Sequence, residues 1–120
     1  MLFRSHAIEV RLTAEDPVTF MPAPGKLDEV CWPDGVRIDT WVESGSTLSP
    51  HYDSLVAKII AHGEDRRAAI EILRRALERV VVTGTKTNLS ALIGILDDPD
   101  FQRGMYSTQF LATRRVAASV

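Results

Sequence analysis

The chain has 120 residues, of which 45% are hydrophobic and 25% are charged, and its formal net charge is -2 at pH 7. This length suits one compact domain, and the small net charge gives no electrostatic reason to expect nucleic acid or an acidic membrane as a partner. Cys31 is the only cysteine, which excludes an internal disulfide and a thiolate zinc cluster.

The sequence contains no signal for a membrane or a secretory route. No run approaches the roughly 20 apolar residues of a membrane span, and the N-terminus lacks the apolar segment of a signal peptide. We therefore expect a cytoplasmic protein with no membrane partner. The residues before the first predicted strand, MLFRS, contain none of the turn or cap chemistry that usually precedes a domain.

The first predicted element is a strand over residues 6–13. Side chains alternate across a strand. One face would carry Ile8, Val10 and Leu12, and the other would carry Glu9, Arg11 and Thr13. The second, polar face either meets water or lines a site.

The middle of the chain predicts further strands. Three prolines and a glycine in EDPVTFMPAPGK predict an extended excursion without regular structure. The segments 27–32 and 36–42 predict a hairpin around a Pro-Asp-Gly turn. After a second polar turn, residues 55–61 are apolar on both faces except at Lys58, which is typical of a central strand covered on both sides.

A change of hydrophobic period after Asp65 predicts a helix, with Asp65 as its N-cap. The predicted apolar stripe consists of Ala69, Ile72, Leu73, Ala76, Leu77 and Val80. The outer face carries oppositely charged residues four apart, which predicts a solvated face with ion pairs Arg67–Glu71, Glu71–Arg75 and Arg74–Glu78. Strands first and helices later predict an α+β fold, with a mainly antiparallel sheet and helices packed on it.

The segment TGTKTN, residues 83–88, has one glycine and a lysine two residues later. This spacing does not match a phosphate-binding loop, so we predict a strand-to-helix turn. Thr87 is the predicted cap of a second helix that buries Leu89, Leu92, Ile93 and Leu96. Asp98 and Pro99 predict the start of a third, short helix ending at Gly104.

Composition and spacing alone predict no complete catalytic site. The three histidines lie far apart in the sequence, so no metal site is predicted. Single polar residues in otherwise apolar strands remain: Glu9, Arg11, Asp53 and Lys58. They are either structural ion pairs or parts of a functional site.

Read together and in order, several segments resemble the C-terminal domain of biotin carboxylases over residues 6–111. They are HAIEVRLTAED, FMPAPGKL, GVRIDTWVESGSTLSPHYDSLVAKIIAHGEDRRAAIEILRRAL, GTKTN and FQRGMYSTQFL. The resemblance implies such a domain over residues 6–113, a leader or junction outside the family pattern over 1–5, and a frayed tail over 114–120. The short WPDGVRIDTWVESGSTLSP segment and AKIIAHGEDR most resemble the urea carboxylase part of urea amidolyase.

The resemblance implies a function that this chain shares with other domains. The family uses ATP and bicarbonate to carboxylate N1′ of a biotin held on a separate carrier domain. ATP with Mg would be bound mainly by an ATP-grasp lobe that this chain does not contain, and the chain alone would hold no cofactor. The implied partners are that lobe, the biotin carboxyl carrier domain and a carboxyltransferase. We therefore expect the isolated chain to be inactive.

The resemblance also implies roles for individual residues. Arg11 matches the arginine that the family places at the carboxylation site, and Glu9 either orients Arg11 or is simply its salt-bridge partner. Asp53 would lie at the edge of the biotin site, Lys58 would be structural, and Thr108 would lie close to the adenine pocket. A different class of function stays open: a stand-alone docking domain that retained the fold and binds another carboxylase subunit.

Overall fold

A computed structural model describes residues 6–16, 18–19, 21–49 and 54–102. The strands are β1 (His6–Thr13), β2 (Gly25–Lys26), β3 (Val30–Cys31), β4 (Arg37–Thr40), β5 (Thr47–Leu48), β6 (Leu55–Gly63) and β7 (Val81–Val82). The helices are α1 (Arg66–Glu78), α2 (Leu89–Asp97) and α3 (Pro99–Gln102). The predicted α+β class is confirmed.

The main sheet has three antiparallel strands in the order β1-β6-β4. The longest strand, β6, lies in the centre, as the apolar run predicted, and Val56, Ile59 and Ala61 are fully buried. Two further sheets have two strands each, β2-β5 and β3-β7. The edge strand β1 is therefore paired on one side only within the main sheet.

The predicted hairpin of residues 27–42 is wrong. β3 pairs with β7, through Val30 opposite Val82, whereas β4 pairs with β6, through Ile38 opposite Ile59. The chain does turn at Gly35, which has a φ of 85°, but the turn leads from one sheet into another. Pairing with β6 lets Ile38 pack against the main core, a long-range gain that no local turn signal reveals.

Helix α1 begins as predicted, because the Asp65 carboxylate accepts a hydrogen bond from the Ala68 N–H at 2.8 Å. The predicted stripe needs one correction: Ile70 is 5% exposed, whereas Ile72 is 36% exposed. With 3.6 residues per turn, Ile70 lies only about 60° round the helix from the buried Leu73, and Ile72 lies about 100° from it. Of the predicted ion pairs, Glu71–Arg75 and Arg74–Glu78 form.

Helix α2 packs Leu96 in the core, with Leu89, Leu92 and Ile93 partly buried against it. Its N-cap position is Asn88, whose side chain makes no capping hydrogen bond, whereas the hydroxyl of the predicted cap Thr87 accepts the Leu89 N–H at 3.4 Å. Helix α3 begins after Asp98, whose carboxylate accepts the Asp100 N–H at 2.9 Å, as predicted. Its predicted end at Gly104 lies outside the described residues. Within the described ranges, no helix is both long and apolar enough to cross a membrane.

Candidate functional site

One face of the main sheet is charged. The strand register places Arg11 opposite Lys58, and Lys58 opposite Asp39, so the three form a row across the sheet. In the next row Ile60 lies between Glu9 and Arg37. Residues in register project from the same face, and residues two apart on a strand do so as well. The polar alternation of the first strand therefore belongs to a charged face that spans all three strands.

The Arg11 guanidinium is exposed, and it makes no hydrogen bond or ion pair with any other residue that the structure describes. Glu9 and Arg11 form no ion pair in this part of the chain. On the same face Asp39 is engaged by Arg37, with Nε 3.1 Å from Oδ1. The donors of Arg11 are thus available to an external acceptor.

A groove of about 490 Å³ runs along the outer edge of β1, between that strand and α2. Its polar lining includes Glu9, Arg11 and Asn88, and its apolar lining includes Leu92 and Phe101. The groove is open to solvent, and its lining is mainly apolar with a few polar groups.

The side-chain amide of Asn88 binds the main chain of β1 at the position of Arg11. Asn88 Oδ1 accepts the Thr13 N–H at 2.8 Å, and Asn88 Nδ2 donates to the Arg11 carbonyl at 3.1 Å. The Asn88 N–H also donates to the Thr13 carbonyl at 3.1 Å. These contacts explain why the Asn88 side chain does not cap α2.

A second contact joins the segment 83–88 to the long excursion after β1. Lys86 Nζ lies 3.0 Å from Asp16 Oδ2, and Asp16 Oδ1 accepts the backbone N–H groups of Val18 and Thr19. The two backbone N–H groups and the Lys86 ammonium stabilise the ionised carboxylate and lower the pKa of Asp16 to about 2. The sequence therefore places a fixed negative charge near the start of the excursion.

Residues 9–113 match the biotin carboxylase C-terminal domain family. The chain belongs to this family. It is 43% identical over 110 residues to the biotin carboxylase of Haemophilus influenzae, covering 90% of this chain and 25% of that relative. It is 45% identical over 106 residues to the urea amidolyase of Saccharomyces cerevisiae, covering 88% of this chain and 6% of the relative.

The fold is also that of the family. The crystal structure of the Kluyveromyces lactis urea carboxylase matches with a TM-score of 0.85 at 43% identity, over 88% of this chain and 9% of that chain. The chain therefore spans a quarter or less of the length of these biotin carboxylase and urea amidolyase relatives. Biotin carboxylases and urea amidolyases match it at similar identity.

The predicted site residues of this biotin carboxylase domain are described only in part. Glu9, Arg11 and Lys58 share the charged face, whereas Asp53 and Thr108 lie outside the described residues. Asn88 was missed as a site residue, because the sequence analysis assigned the cap of α2 to Thr87 and interpreted residues 83–88 as a simple turn. Its sequence signal was its place at the end of GTKTN, one of the segments that resemble the family.

Proposed function

We propose that this chain forms the biotin-facing wall of a biotin carboxylase active site, with Arg11 as its catalytic residue. The observation that carries the proposal is an exposed guanidinium without a partner among the described residues, on the wall of a groove, in a biotin carboxylase domain. Arg74, in contrast, is held in an ion pair with Asp97.

The chemistry explains why this position needs an arginine. Biotin supplies N1′ as the nucleophile, and negative charge develops on its ureido oxygen as N1′ loses a proton. An arginine side chain carries a delocalised positive charge and presents planar, directional donors. Held beside that oxygen, its guanidinium stabilises the charge where it develops. Glu9, two residues away on the same face, makes no ion pair with Arg11 in the chain alone, and its proposed role is to orient the guanidinium once biotin is bound.

The other roles are proposals of the same kind. Asp53 is assigned to the edge of the biotin site, Thr108 to the vicinity of adenine, and Lys58 to the structure of the sheet. The described residues contain no group of three His, Cys, Asp or Glu side chains that could hold a metal ion. Family membership supports the assignment of ATP, Mg and bicarbonate mainly to an ATP-grasp lobe, with a biotin carrier domain and a carboxyltransferase as further partners.

The test is complementation. The purified chain is mixed with the ATP-grasp half of the Haemophilus influenzae relative, and bicarbonate-dependent ATP turnover is followed with free biotin. Turnover is expected only on mixing. Arg11→Ala should lower it by about a hundredfold, the cost of removing one donor to a developing oxyanion, while leaving ATP binding unchanged. Arg67→Ala, an exposed arginine on α1, is the matched control and should retain full turnover.

Two results would contradict this function. ATP hydrolysis by the chain alone would show that it is not a half-site, and unchanged turnover of Arg11→Ala would remove the role given to Arg11. Binding of the ATP-grasp half without any turnover would favour the other candidate, a docking domain.

We further propose that the partner lobe is of urea carboxylase type. The support is the short turn at residues 33–35, where the Asp34 carbonyl accepts a hydrogen bond from Arg79 at 3.1 Å, so that the turn lies against the end of α1. The same experiment with the ATP-grasp part of the Saccharomyces cerevisiae urea amidolyase should give the higher turnover. Higher turnover with the bacterial half would contradict the subtype and leave the half-site intact.

A further inference from the structure

We propose that Asn88 is a positioning residue for Arg11, which it serves by fixing the main chain on which Arg11 stands. The inference rests on the proposed function of Arg11 and connects the segment TGTKTN with that function. Its basis is the set of three hydrogen bonds that join Asn88 to the outer edge of β1 at residues 11 and 13.

The Asn88 amide replaces the strand that β1 lacks on this side. Within the main sheet β1 is an edge strand, so the Arg11 carbonyl and the Thr13 N–H would otherwise need water or another partner. A side-chain amide has one acceptor and two donors and can satisfy both groups at once. Asn is therefore suited to this position, because a carboxylate offers only acceptors and a hydroxyl is too short to bridge two residues.

The contact lies next to an irregularity in the pairing of β1 with β6. The register between the two strands is unbroken from His6 to Leu12 and shifts between Leu12 and Thr13. Arg11 is thus the last outward residue before the irregularity. Asn88 spans the shift, since it binds Arg11 on one side of it and Thr13 on the other.

Arg11 depends on this support because its side chain has no other anchor among the described residues. A guanidinium without a hydrogen bond or ion pair takes its direction from its own backbone. A small displacement of a reacting group is costly in catalysis, even when the change is remote from the reaction. A fixed backbone at Arg11 therefore reduces the range of positions that the guanidinium samples.

The segment that carries Asn88 is itself held against the sheet. Thr85 Oγ1 donates to the Ala23 carbonyl at 2.7 Å, and Lys86 binds Asp16. Gly84 approaches the backbone of Lys26 and Asp28 so closely that a Cβ would clash with both. Asn88 thus projects from a turn that is fixed at three earlier positions.

The variants Asn88→Ala and Asn88→Asp test the inference in the complemented enzyme. Asn88→Ala removes both side-chain bonds. Asn88→Asp keeps the shape and the acceptor for Thr13 but replaces the donor to the Arg11 carbonyl by a carboxylate oxygen, which repels it. Both should lower kcat with free biotin by about tenfold without changing KM for ATP. Ser90→Ala, at an exposed position on the same helix, is the control and should change neither constant.

A double-mutant cycle separates positioning from a general loss of stability. If Asn88 acts through Arg11, adding Asn88→Ala to Arg11→Ala should produce no further loss, because coupled residues are not additive. Equal tenfold losses in both backgrounds would overturn the inference. So would full turnover of both Asn88 variants while Arg11→Ala is impaired.

A measurement on the chain alone distinguishes this inference from the proposed function. Amide hydrogen exchange should show the Thr13 N–H protected in the native chain and exposed in Asn88→Ala, with the N–H of Val10 unchanged. Unaltered protection of Thr13 would overturn the inference whatever the role of Arg11. Unchanged turnover of Arg11→Ala would instead overturn the proposed function. The hydrogen bonds between Asn88 and β1 would still be tested separately by amide exchange at Thr13.

Discussion

The role of a charged residue in this chain depends on whether the fold brings it to a partner that is distant in the sequence. Asp97 would be unfavourable at the negative end of α2, yet Arg74 of α1 binds it and lowers its pKa. Arg11, in contrast, has no such partner among the described residues. Arg11 could be predicted as a site residue from the sequence, because strand alternation placed it on a polar face and its position matches the family's arginine. The role of Asn88 could not, because its partners are backbone groups more than 70 residues away.

Asp16 should make the stability of the chain depend on acid. Its pKa is about 2 in the folded chain and about 3.9 in an unfolded one. A lowered pKa means that this stabilisation is complete above pH 4 and is lost as the pH falls from about 4 to 2. Urea unfolding of Asp16→Asn should therefore show a lower free energy of unfolding at pH 7. Below pH 4 (the acid limb), the free energy of unfolding should also fall less steeply with decreasing pH than in the native chain.

The control for Asp16 is Asp28→Asn, an exposed carboxylate for which the described residues provide no hydrogen bond. It should leave the acid limb in place. Identical acid limbs for the native chain and Asp16→Asn would contradict the assignment of the carboxylate to Lys86 and the backbone of residues 18–19.

At the scale of the elements, hydrophobic periodicity predicted which segments form helices and strands, but it did not predict which strands pair with each other. The strand 6–13, the central strand and the cap at Asp65 follow from local patterns and are confirmed. The hairpin prediction was wrong because two consecutive strands joined by a turn can each pair with a different strand. Here β3 pairs with β7 and β4 pairs with β6, and these pairings depend on the packing of the whole core.

The corrected buried face of α1 can be tested by two substitutions of one residue type. Ile70→Ala should lower the free energy of unfolding by about 2–4 kcal/mol, because it removes a buried side chain and leaves a cavity. Ile72→Ala, at a 36% exposed position, should cost less than about 1 kcal/mol. Denaturant unfolding measures both. A larger loss of unfolding free energy for Ile72→Ala than for Ile70→Ala would support the buried stripe predicted from the sequence, which contains Ile72.

At the scale of the whole molecule, the segment 83–88 connects parts of the fold that no single strand ladder joins. Thr83 exchanges backbone hydrogen bonds with Asp28 and Glu29 beside β3, Thr85 binds the excursion, and Asn88 binds β1. The sequence predicted a turn here, and the turn is confirmed by Gly84 at a φ of 104°. Its wider contacts depend on the three-dimensional arrangement of segments that are distant along the chain.

Gly84→Ala should therefore destabilise the whole chain more than the same change at Gly35. Both glycines have positive φ, but a Cβ at Gly35 meets open space, whereas one at Gly84 meets the backbone of Lys26 and Asp28. Gly35→Ala should cost about 1 kcal/mol for its backbone conformation alone. Gly84→Ala should cost about 3 kcal/mol or more, because the backbone of neighbouring segments must also move.

Urea unfolding followed by far-ultraviolet circular dichroism and by tryptophan fluorescence measures both losses. Coincident transitions from the two probes would mean that the sheets unfold as one unit. Because Gly84 lies four residues before Asn88, its substitution should also release the Thr13 N–H to exchange. Equal losses for the two glycine variants, with Thr13 still protected, would mean that the segment 83–88 is a simple connection whose contacts do not hold the sheets together.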